Sequence, residues 1–333
     1  MTAPLEVVGI GNAIVDVIAT TTDGLLAELA LTKGSMTLVD EAQGDGIYAK
    51  MGPGLESSGG SAANTIAGFA SFGGRAAYVG KVRDDQLGKV FAHDIRALGV
   101  GFDTPVATTG PSTARCLVLV TPDAQRTMAT YLGACVDLGP EDIDAAQIGA
   151  AGVVYLEGYL FDPPRAKAAF RKAAEIAQAR GHKVALSLSD AFCVNRYRDE
   201  FRDLVAHHVD ILFANETEIL ALTGASSFDE AASAIKGQCQ IAALTRSEKG
   251  SVVLHAGGAE AVPAQPVDKV VDTTGAGDLY AAGFLFGVAR GKSPADCAAL
   301  GGLAAAEVIS HIGARPQTSL KDLAKAKLPH LAV

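Results

Sequence analysis

The sequence lacks paired cysteines. Its five cysteines are scattered along 333 residues, their number is odd, and no two of them have the C-x-x-C spacing. A disulfide framework or a zinc site is therefore not expected. Unpaired thiols fit the reducing cytoplasm, where we expect this protein to act.

Long apolar runs and an excess of basic charge are also missing. The most apolar stretches, such as AAGFLFGVA, are too short to cross a bilayer, and the first residues lack the basic start of a signal peptide. The chain has 28 basic and 37 acidic residues, a net charge of −9. This balance argues against nucleic acid or a membrane as partner, and an anionic ligand would need backbone amides, placed cations or a metal ion.

Several catalytic motifs are absent as well. The sequence contains no G-x-x-x-x-G-K-[ST], which excludes a P-loop NTPase, and neither H-E-x-x-H nor G-x-S-x-G. The segment GIGNAI has Gly9 and Gly11 but no third glycine, so the dinucleotide fingerprint of an oxidoreductase is incomplete.

The order of apolar and polar residues predicts an α/β fold. After residue 150, apolar strands such as 151–158 alternate with helices such as 163–181. This alternation indicates a mostly parallel sheet that is covered by helices on both faces. The length and the 49% of apolar residues suit one large domain over residues 1–333.

Strands with one polar face do not fit inside such a sheet. They are predicted at 14–20, 35–40, 105–108, 113–121 and 126–132. We expect them to form a small β-sheet lid from insertions at about 13–40 and 103–133, near the carboxyl ends of the parallel strands, where α/β proteins bind ligands. The second face of such a lid needs a cover, so the chain is expected to be a monomer or a homodimer joined through the lid.

The stretch DTTGAGDLY places an acid, Asp278, directly after two glycines and at the start of an apolar helix. The amides of Gly275, Ala276 and Gly277 would be unpaired donors at the helix N-terminus and form an anion site. A carboxylate beside a bound phosphate suits a base that takes the proton from an attacking hydroxyl. The residues alone also allow Asp278 to be only a favourable acid of the first helical turn.

The seven residues DTTGAGD resemble the C-terminal signature of the PfkB, or ribokinase-like, family of carbohydrate and nucleoside kinases. Other motifs follow in the family's order: GGSAAN at 59–64, GKVRDDQLG at 80–88, NETE at 215–218 and LTRSEKGS at 244–251. Arg83 and Ser247 replace glycines that are usual in two of these motifs. The resemblance covers essentially the whole chain and implies a ribokinase-like three-layer α/β fold with a small β-sheet lid.

Within the family, the segments VGIGNAIVDVIA, QRTMATYLGAC and LEGYLFDPPRAKAAF look most similar to the adenosine-kinase branch.

The resemblance implies roles on the acceptor side of the site. Asp278 matches the catalytic base, and the amides of residues 275–277 match the anion hole. The positions that match contacts to the substrate sugar are Asn12, Asp16, Gly59, Gly60 and Asn64. An aspartate suits a vicinal diol because it accepts two hydrogen bonds at once. The alternatives are a strand-edge acid for Asp16 and a helix start for the glycines and Asn64.

The resemblance also implies that ATP and Mg²⁺ are used. The matching positions are Arg126, Asn215, Glu218, Thr245, Ser247 and Gly250. Glu218 would act on Mg²⁺ through water, since this ion keeps several waters, and Arg126 would reach the nucleotide phosphates from the lid. The N-x-x-E spacing equally fits a helix cap made by Asn215 and Glu218.

Many members of the family bind K⁺ beside the anion hole. Asp272 and Thr274 match the near side of such a site, and Ser319 is a candidate ligand on its far side. The alternative is that Asp272 only braces the turn.

These expectations describe an ATP-dependent phosphotransferase that acts on the primary hydroxyl of a ribose-containing substrate, with adenosine as the leading candidate. The alternatives are a kinase for a free sugar such as ribose or fructose, a kinase for another nucleoside, and a nucleoside-binding regulator without catalysis. An apolar pocket for a base would favour a nucleoside. Its candidate lining is Ile14, Met36, Leu38 and Phe161, although each also fits core packing.

Overall fold

The computed structural model describes residues 4–123, 125–161 and 163–331. Residue 124, in the predicted turn between two lid strands, lies outside the described residues. The strands are β1 (Val7–Ile10), β2 (Ile14–Thr20), β3 (Met36–Leu38), β4 (Leu55–Gly59), β5 (Ala76–Val79), β6 (Ala114–Val120), β7 (Arg126–Tyr131), β8 (Val153–Glu157), β9 (Lys183–Ser187), β10 (Ile211–Asn215), β11 (Ile241–Thr245), β12 (Ser251–His255) and β13 (Gly258–Val262).

Helices occupy most of the chain between these strands. They are α1 (Asp23–Glu28), α2 (Glu41–Tyr48), α3 (Ser61–Ser71), α4 (Gln86–Ala97), α5 (Ala145–Ala150), α6 (Pro164–Ala179), α7 (Ala191–Arg196), α8 (Arg198–His208), α9 (Glu216–Thr223), α10 (Phe228–Ile235), α11 (Ala276–Ala289), α12 (Pro294–Val308) and α13 (Leu320–Lys327). Within the described residues, none of them is both long and apolar enough to cross a membrane.

The large sheet has the order β13-β12-β11-β10-β9-β8-β1-β5. Six neighbouring strands pair in parallel, in the order β5, β1, β8, β9, β10 and β11. The hairpin β12–β13 adds an antiparallel edge. Neighbouring residues of β1 illustrate why both faces are covered: Val7 packs into the core with α3 and α11, and Val8 packs into the core with α6. The predicted three-layer α/β fold is therefore confirmed.

The small sheet has the order β3-β7-β6-β2-β4. Its odd-numbered core residues, including Val17, Leu117 and Ala129, pack with Leu26 of α1 and Ile47 of α2. Even-numbered residues of β2, β6 and β7 point to the opposite face, as the two-residue period of a strand requires. Two short helices of the same chain therefore cover the outer face of the small sheet.

Some elements differ from the sequence-based expectation. Residues 105–108 form no strand, because only Ala107 makes a bridge, to Arg83. The spacing of apolar residues in VNRYRDEFRDLVAHH predicts one helix over 194–208. The structure divides it at Tyr197, which has non-helical backbone angles, and the first part begins earlier because Asp190 caps α7. Strand β4 was not expected, since LESSG has no apolar periodicity, and it lies outside both predicted insertions.

The division of the chain into domain and lid insertions stays a prediction.

Glycines let α3, α11 and α12 pack closely. A Cβ atom on Gly68 of α3 would lie 2.8 Å from Ala282 Cβ of α11, and one on Gly283 of α11 would lie 2.7 Å from Gly301 N of α12. These distances are below normal carbon contacts, so the helix axes can approach only because the side chains are missing.

We expect Gly283→Ala to destabilise the protein by about 1–3 kcal/mol, since the added methyl group would collide with the backbone of α12. The matched control is Gly46→Ala in α2, where an added Cβ meets nothing within 4 Å; this change should stabilise by up to about 1 kcal/mol. Urea unfolding midpoints measure both. Equal effects of the two substitutions would contradict the packing argument.

Candidate active site

A cavity of about 850 Å³ lies between the small sheet and the carboxyl ends of the large sheet. The small sheet contributes Asp16, Cys116 and Met128, while Asn215 and Thr245 end two parallel strands of the large sheet. Of the residues predicted to form the site, those that line this cavity are Asn12, Asp16, Gly60, Asn64, Arg126, Asn215, Glu218, Thr245, Thr274, Gly275, Ala276, Gly277 and Asp278. The cavity is not lined by Gly59, Ser247, Gly250, Asp272 or Ser319.

Helix α11 begins at the glycine turn, as the sequence predicted. Gly275 has a φ of +79°, and a Cβ atom there would lie 2.9 Å from Ala314. Both facts require glycine at this position. The turn aims the first turn of α11, with Asp278 in it, at the cavity.

The carboxylate of Asp278 is held by two residues of α3. Ser61 Oγ donates to its Oδ1 at 2.6 Å, and Asn64 Nδ2 donates to its Oδ2 at 3.0 Å. Burial raises the pKa of Asp278, while the bonds from Ser61 and Asn64 and the charge of Arg315 oppose that shift. A partly buried carboxylate of raised pKa is suited to accept a proton.

The amides at the start of α11 are only partly free. Ala276 N donates to Thr273 O at 3.2 Å, so the expectation that all of residues 275–277 are unpaired donors is wrong for Ala276 in this state. Among the described residues, the N–H groups of Gly275 and Gly277 have no protein acceptor. The helix still presents its positive end to the cavity.

Asp16 and Gly60 lie beside Asp278 on the small-sheet side. Burial raises the pKa of Asp16 to about 6, although Arg315 and Arg126 act in the opposite direction. Gly60 has a φ of +92°, and a Cβ atom there would collide with the carbonyl oxygen of Asn12. Gly59 does not line the cavity, but a Cβ atom there would collide with Asp16 Oδ2, so only glycine leaves room for that carboxylate.

Glu157 is a residue of the site that the sequence did not reveal. It ends β8, is 1% exposed, and accepts hydrogen bonds from Asn12 Nδ2 at 2.7 Å and Ala62 N at 2.7 Å. Burial raises the pKa of Glu157 to about 7. Its carboxyl group joins the loop after β1 to the start of α3. It thereby positions Asn12 directly and Asn64 through the first turn of α3.

Asn215 and Glu218 form the capping box that the sequence allowed. Glu218 N donates to Asn215 Oδ1 at 2.9 Å, and Asn215 N donates to Glu218 Oε2 at 2.9 Å. Both residues nevertheless line the cavity, so the cap does not withdraw them from a ligand. Burial, with Asp190 and Asp278 nearby, raises the pKa of Glu218 to about 7.

The predicted nucleotide segment is only partly at the cavity. Thr245 ends β11 and lines the cavity, whereas Ser247 and Gly250 lie in the turn that leads to β12. Ser247 has a φ of +51°. Glycine adopts this left-handed conformation without strain, which explains why the PfkB family usually has glycine at the position of Ser247.

Arg126 of the small sheet reaches the turn before α11. Its Nη2 lies 2.7 Å from Asp272 Oδ2, and both side chains are less than a tenth exposed. Asp272 also accepts hydrogen bonds from Thr274 Oγ1 at 2.8 Å and from Gly313 N at 3.0 Å. The positive charge beside Asp272 is therefore a guanidinium, and Asp272 does brace the turn.

Ser319, the predicted far-side ligand of K⁺, is the N-cap of α13. Its Oγ accepts a hydrogen bond from Asp322 N at 3.2 Å and caps α13. The structure does not join it to Asp272 and Thr274, and the K⁺ site stays a prediction.

Apolar and aromatic side chains also line the cavity. Ile14, Met36 and Leu38 line it, and Met36 and Leu38 are 44% and 50% exposed. Phe161 does not line it, because this ring is buried in the core against Phe201. The aromatic residues that do line it include Tyr159 and Phe192, which the sequence did not single out.

Arg315 is a second residue beside the predicted acceptor site that the sequence did not single out. It lies in the loop after α12, and its Nε donates to Asn64 Oδ1 at 2.8 Å. Burial lowers the pKa of Arg315 to about 10, while Asp16 and other nearby acids, including Asp278, act in the opposite direction. A guanidinium thus stands near both carboxylates of the predicted acceptor site.

Comparison with known proteins gives concordant results. A family model described as pfkB family carbohydrate kinase matches residues 47–321. The adenosine kinase of Saccharomyces cerevisiae is 28% identical over 335 residues, which cover 94% of this chain and 96% of that protein.

Two solved structures are similar over nearly the whole chain. The adenosine kinase from Sinorhizobium meliloti is 53% identical, with a TM-score of 0.91, covering 97% of this chain and 99% of that chain. A probable sugar kinase protein from Rhizobium etli is 50% identical, with a TM-score of 0.92, covering 99% of this chain and 100% of that chain.

The raised pKa of Glu157 predicts a pH-dependent stability. The folded state binds the proton of Glu157 more tightly than the unfolded state, so its contribution is full at acid pH and is lost as the pH rises through about 7. The ionised form should cost about 3 kcal/mol at pH 8. Glu157→Gln should therefore lose less stability between pH 5 and pH 8 than the parent protein.

Thermal unfolding at pH 5, 6.5 and 8 measures this slope. At pH 5 the variant Glu157→Gln should be less stable than the parent protein, because the NH₂ group of its amide cannot accept a hydrogen bond from Asn12 or Ala62. Glu175→Gln, at an exposed position of α6, is the control and should keep the slope of the parent protein. Identical slopes in Glu157→Gln and the control would contradict the prediction.

Proposed function

Because the chain belongs to the pfkB family of carbohydrate kinases and is thus an ATP-dependent kinase, we propose that it phosphorylates the primary hydroxyl of the ribose of a nucleoside, with adenosine as the acceptor. ATP is the phosphoryl donor, and the products are AMP and ADP. The similarity to the adenosine kinase of Sinorhizobium meliloti supports this choice of acceptor.

One observation carries the proposal. The cavity combines the carboxylates of Asp16 and Asp278 with an apolar wall that includes Met36, Leu38 and Phe192. A ribose needs hydrogen-bond acceptors, while a purine base needs apolar and aromatic surface. A free sugar would leave the apolar wall without a partner, so the nucleoside is the better occupant.

Asp278 is the proposed general base. It accepts the proton of the primary hydroxyl while the hydroxyl oxygen forms a bond to the γ-phosphorus and the bond from phosphorus to the bridging oxygen breaks, releasing ADP. The N-terminus of α11, with the amides of Gly275 and Gly277, stabilises the charge on the transferred group. Asp16 and Asn12 hold the ribose hydroxyls, and Asn64 keeps Asp278 in place.

Mg²⁺ suits the oxygen donors on the nucleotide side of the cavity. Within the described residues no three acidic, histidine or cysteine side chains form a metal site by themselves, which fits an ion that keeps most of its waters. Burial is the main cause of the raised pKa of Glu218, and the nearby carboxylates of Asp190 and Asp278 add to it; a bound cation would relieve the repulsion between these acids. Bound Mg²⁺ supplies charge neutralisation on the phosphates, and Glu218 would hold it through water.

Arg126, Thr245, Ser247 and Gly250 complete the proposed nucleotide side. Arg126 already lies beside the turn that precedes α11, close to where the phosphates would bind. An effect of K⁺ on the rate is a prediction from the resemblance alone, since Arg126 supplies the positive charge beside Asp272 here.

The small sheet is proposed to act as a lid that excludes water, which would otherwise compete as acceptor. Its outer face is covered by α1 and α2, and this supports a monomer over a homodimer joined through the lid. The five cysteines are free in the structure, which is consistent with the proposed cytoplasmic location.

Asp278→Asn should reduce kcat for adenosine by about 10²–10⁴, because the amide cannot accept the proton. The control is Asp322→Asn, which changes an exposed first-turn acid of α13 and should leave kcat unchanged. Coupled measurement of ADP formation checks both. A near-normal kcat for Asp278→Asn would remove this residue from the role of base.

Phe192→Ala should raise KM for adenosine about tenfold, the equivalent of about 1.4 kcal/mol of lost aromatic contact. It should leave any kcat/KM for free ribose unchanged, because ribose does not reach the apolar wall. Tyr48→Ala, an exposed aromatic residue of α2, is the control. A panel of nucleosides and sugars with ATP gives the comparison, and turnover of sugars but of no nucleoside would reject adenosine as the acceptor.

A further inference from the structure

Arg315 makes a directional contact with a residue that touches Asp278. Its Nε donates to Asn64 Oδ1 at 2.8 Å, and Asn64 Nδ2 donates to Asp278 Oδ2 at 3.0 Å. Asn64 is 5% exposed, so its amide has little access to other partners. The three residues form one chain of hydrogen bonds from the loop after α12, through α3, to α11.

The chemistry of Arg315 fixes the direction of this chain. A guanidinium only donates, so the oxygen of the Asn64 amide must face Arg315 and its NH₂ group must face Asp278. With the amide reversed, its NH₂ group would oppose the donors of Arg315 and its oxygen would oppose the carboxylate. Arg315 therefore selects the amide orientation that favours the ionised form of Asp278.

The positive charge of Arg315 also favours the ionised form of Asp278. The titratable groups that interact with Asp278 from the surrounding elements are Asp16, Glu157, Glu218, Tyr155, Tyr159 and Arg315. Of these, Arg315 alone is a cation. Arg126 is in contact with Asp272 and also lowers the pKa of Asp16, but Arg315 is the arginine that lowers the pKa of Asp278 itself.

We propose that Arg315 is a positioning residue for phosphoryl transfer, which orients Asn64 and keeps Asp278 ionised as the proton acceptor. The proposal rests on the proposed function only for the role of Asp278 as base. Arg315 is not assigned a contact with the substrate.

A double-mutant cycle tests the coupling without any turnover. The variants are Arg315→Met, Asp278→Asn and the double variant, and the measurement is the unfolding equilibrium in urea at pH 8 and pH 5. Asp278→Asn should stabilise the Arg315→Met protein more than the parent protein. At pH 8 the effects of Asp278→Asn on the unfolding constant in these two backgrounds should differ by about tenfold. This difference between the backgrounds should be smaller at pH 5, where less of Asp278 is ionised.

Two further variants separate charge from general structure. Arg315→Lys retains the positive charge. In this background, the effect of Asp278→Asn on the unfolding constant should lie between its effects in the parent protein and in Arg315→Met. Arg202→Met removes an arginine that also donates to neutral oxygens, those of Leu222 and Thr223, and should show no coupling to Asp278. Absence of coupling in the Arg315 cycle, or a Lys variant equal to the Met variant, would overturn the proposal.

The pH profile of kcat/KM supplies the catalytic readout. The acid limb should move to higher pH by about one unit in Arg315→Met, because a removed cation lets the pKa of Asp278 rise, and Arg315→Lys should restore part of the shift. An unchanged acid limb would also overturn the proposal. If the parent protein phosphorylates no nucleoside or sugar, the proposed function fails, while the stability cycle still decides whether Arg315 and Asp278 are coupled.

Discussion

The contact between α3 and α11 holds the site together. Ser61 and Asn64 at the start of α3 reach Asp278 at the start of α11, so the two helix N-termini must converge on one point. Gly68 permits the close approach of the two helices. Glu157 fixes the start of α3 from the large sheet, and Ala314 packs against the glycine turn of α11. Each of these contacts serves to keep one carboxylate at one place.

That arrangement concentrates negative charge where an anionic nucleotide is proposed to bind. Asp16, Glu157 and Glu218 have pKa values raised mainly by burial, to between about 6 and about 7. The chain as a whole carries a net charge of −9. The proposed binding of a polyphosphate would therefore depend on local features, namely the N-terminus of α11, the guanidinium group of Arg126 and a metal ion that accompanies the nucleotide.

The sequence predicted the parts of the site that depend on neighbouring residues. The glycine turn and first-turn acid of α11 are encoded within a few positions, and so is the capping box of Asn215 and Glu218. Glu157 could not be found in this way, because it ends an apolar strand and its partners Asn12 and Ala62 are 145 and 95 positions away. Arg315 is 251 positions from Asn64. Strand β4 was missed for a related reason, since pairing with β2 and not its own composition makes it a strand.

The glycine contacts of α11 also have a mechanical consequence. Where backbones touch, as at Gly283 and Gly301, there is no compliant layer of side chains that could absorb a sliding motion. Helices α3, α11 and α12 should then behave as one rigid body that includes Asp278. A change of shape on ligand binding would then be taken up outside this body, in the connections that lead to the small sheet.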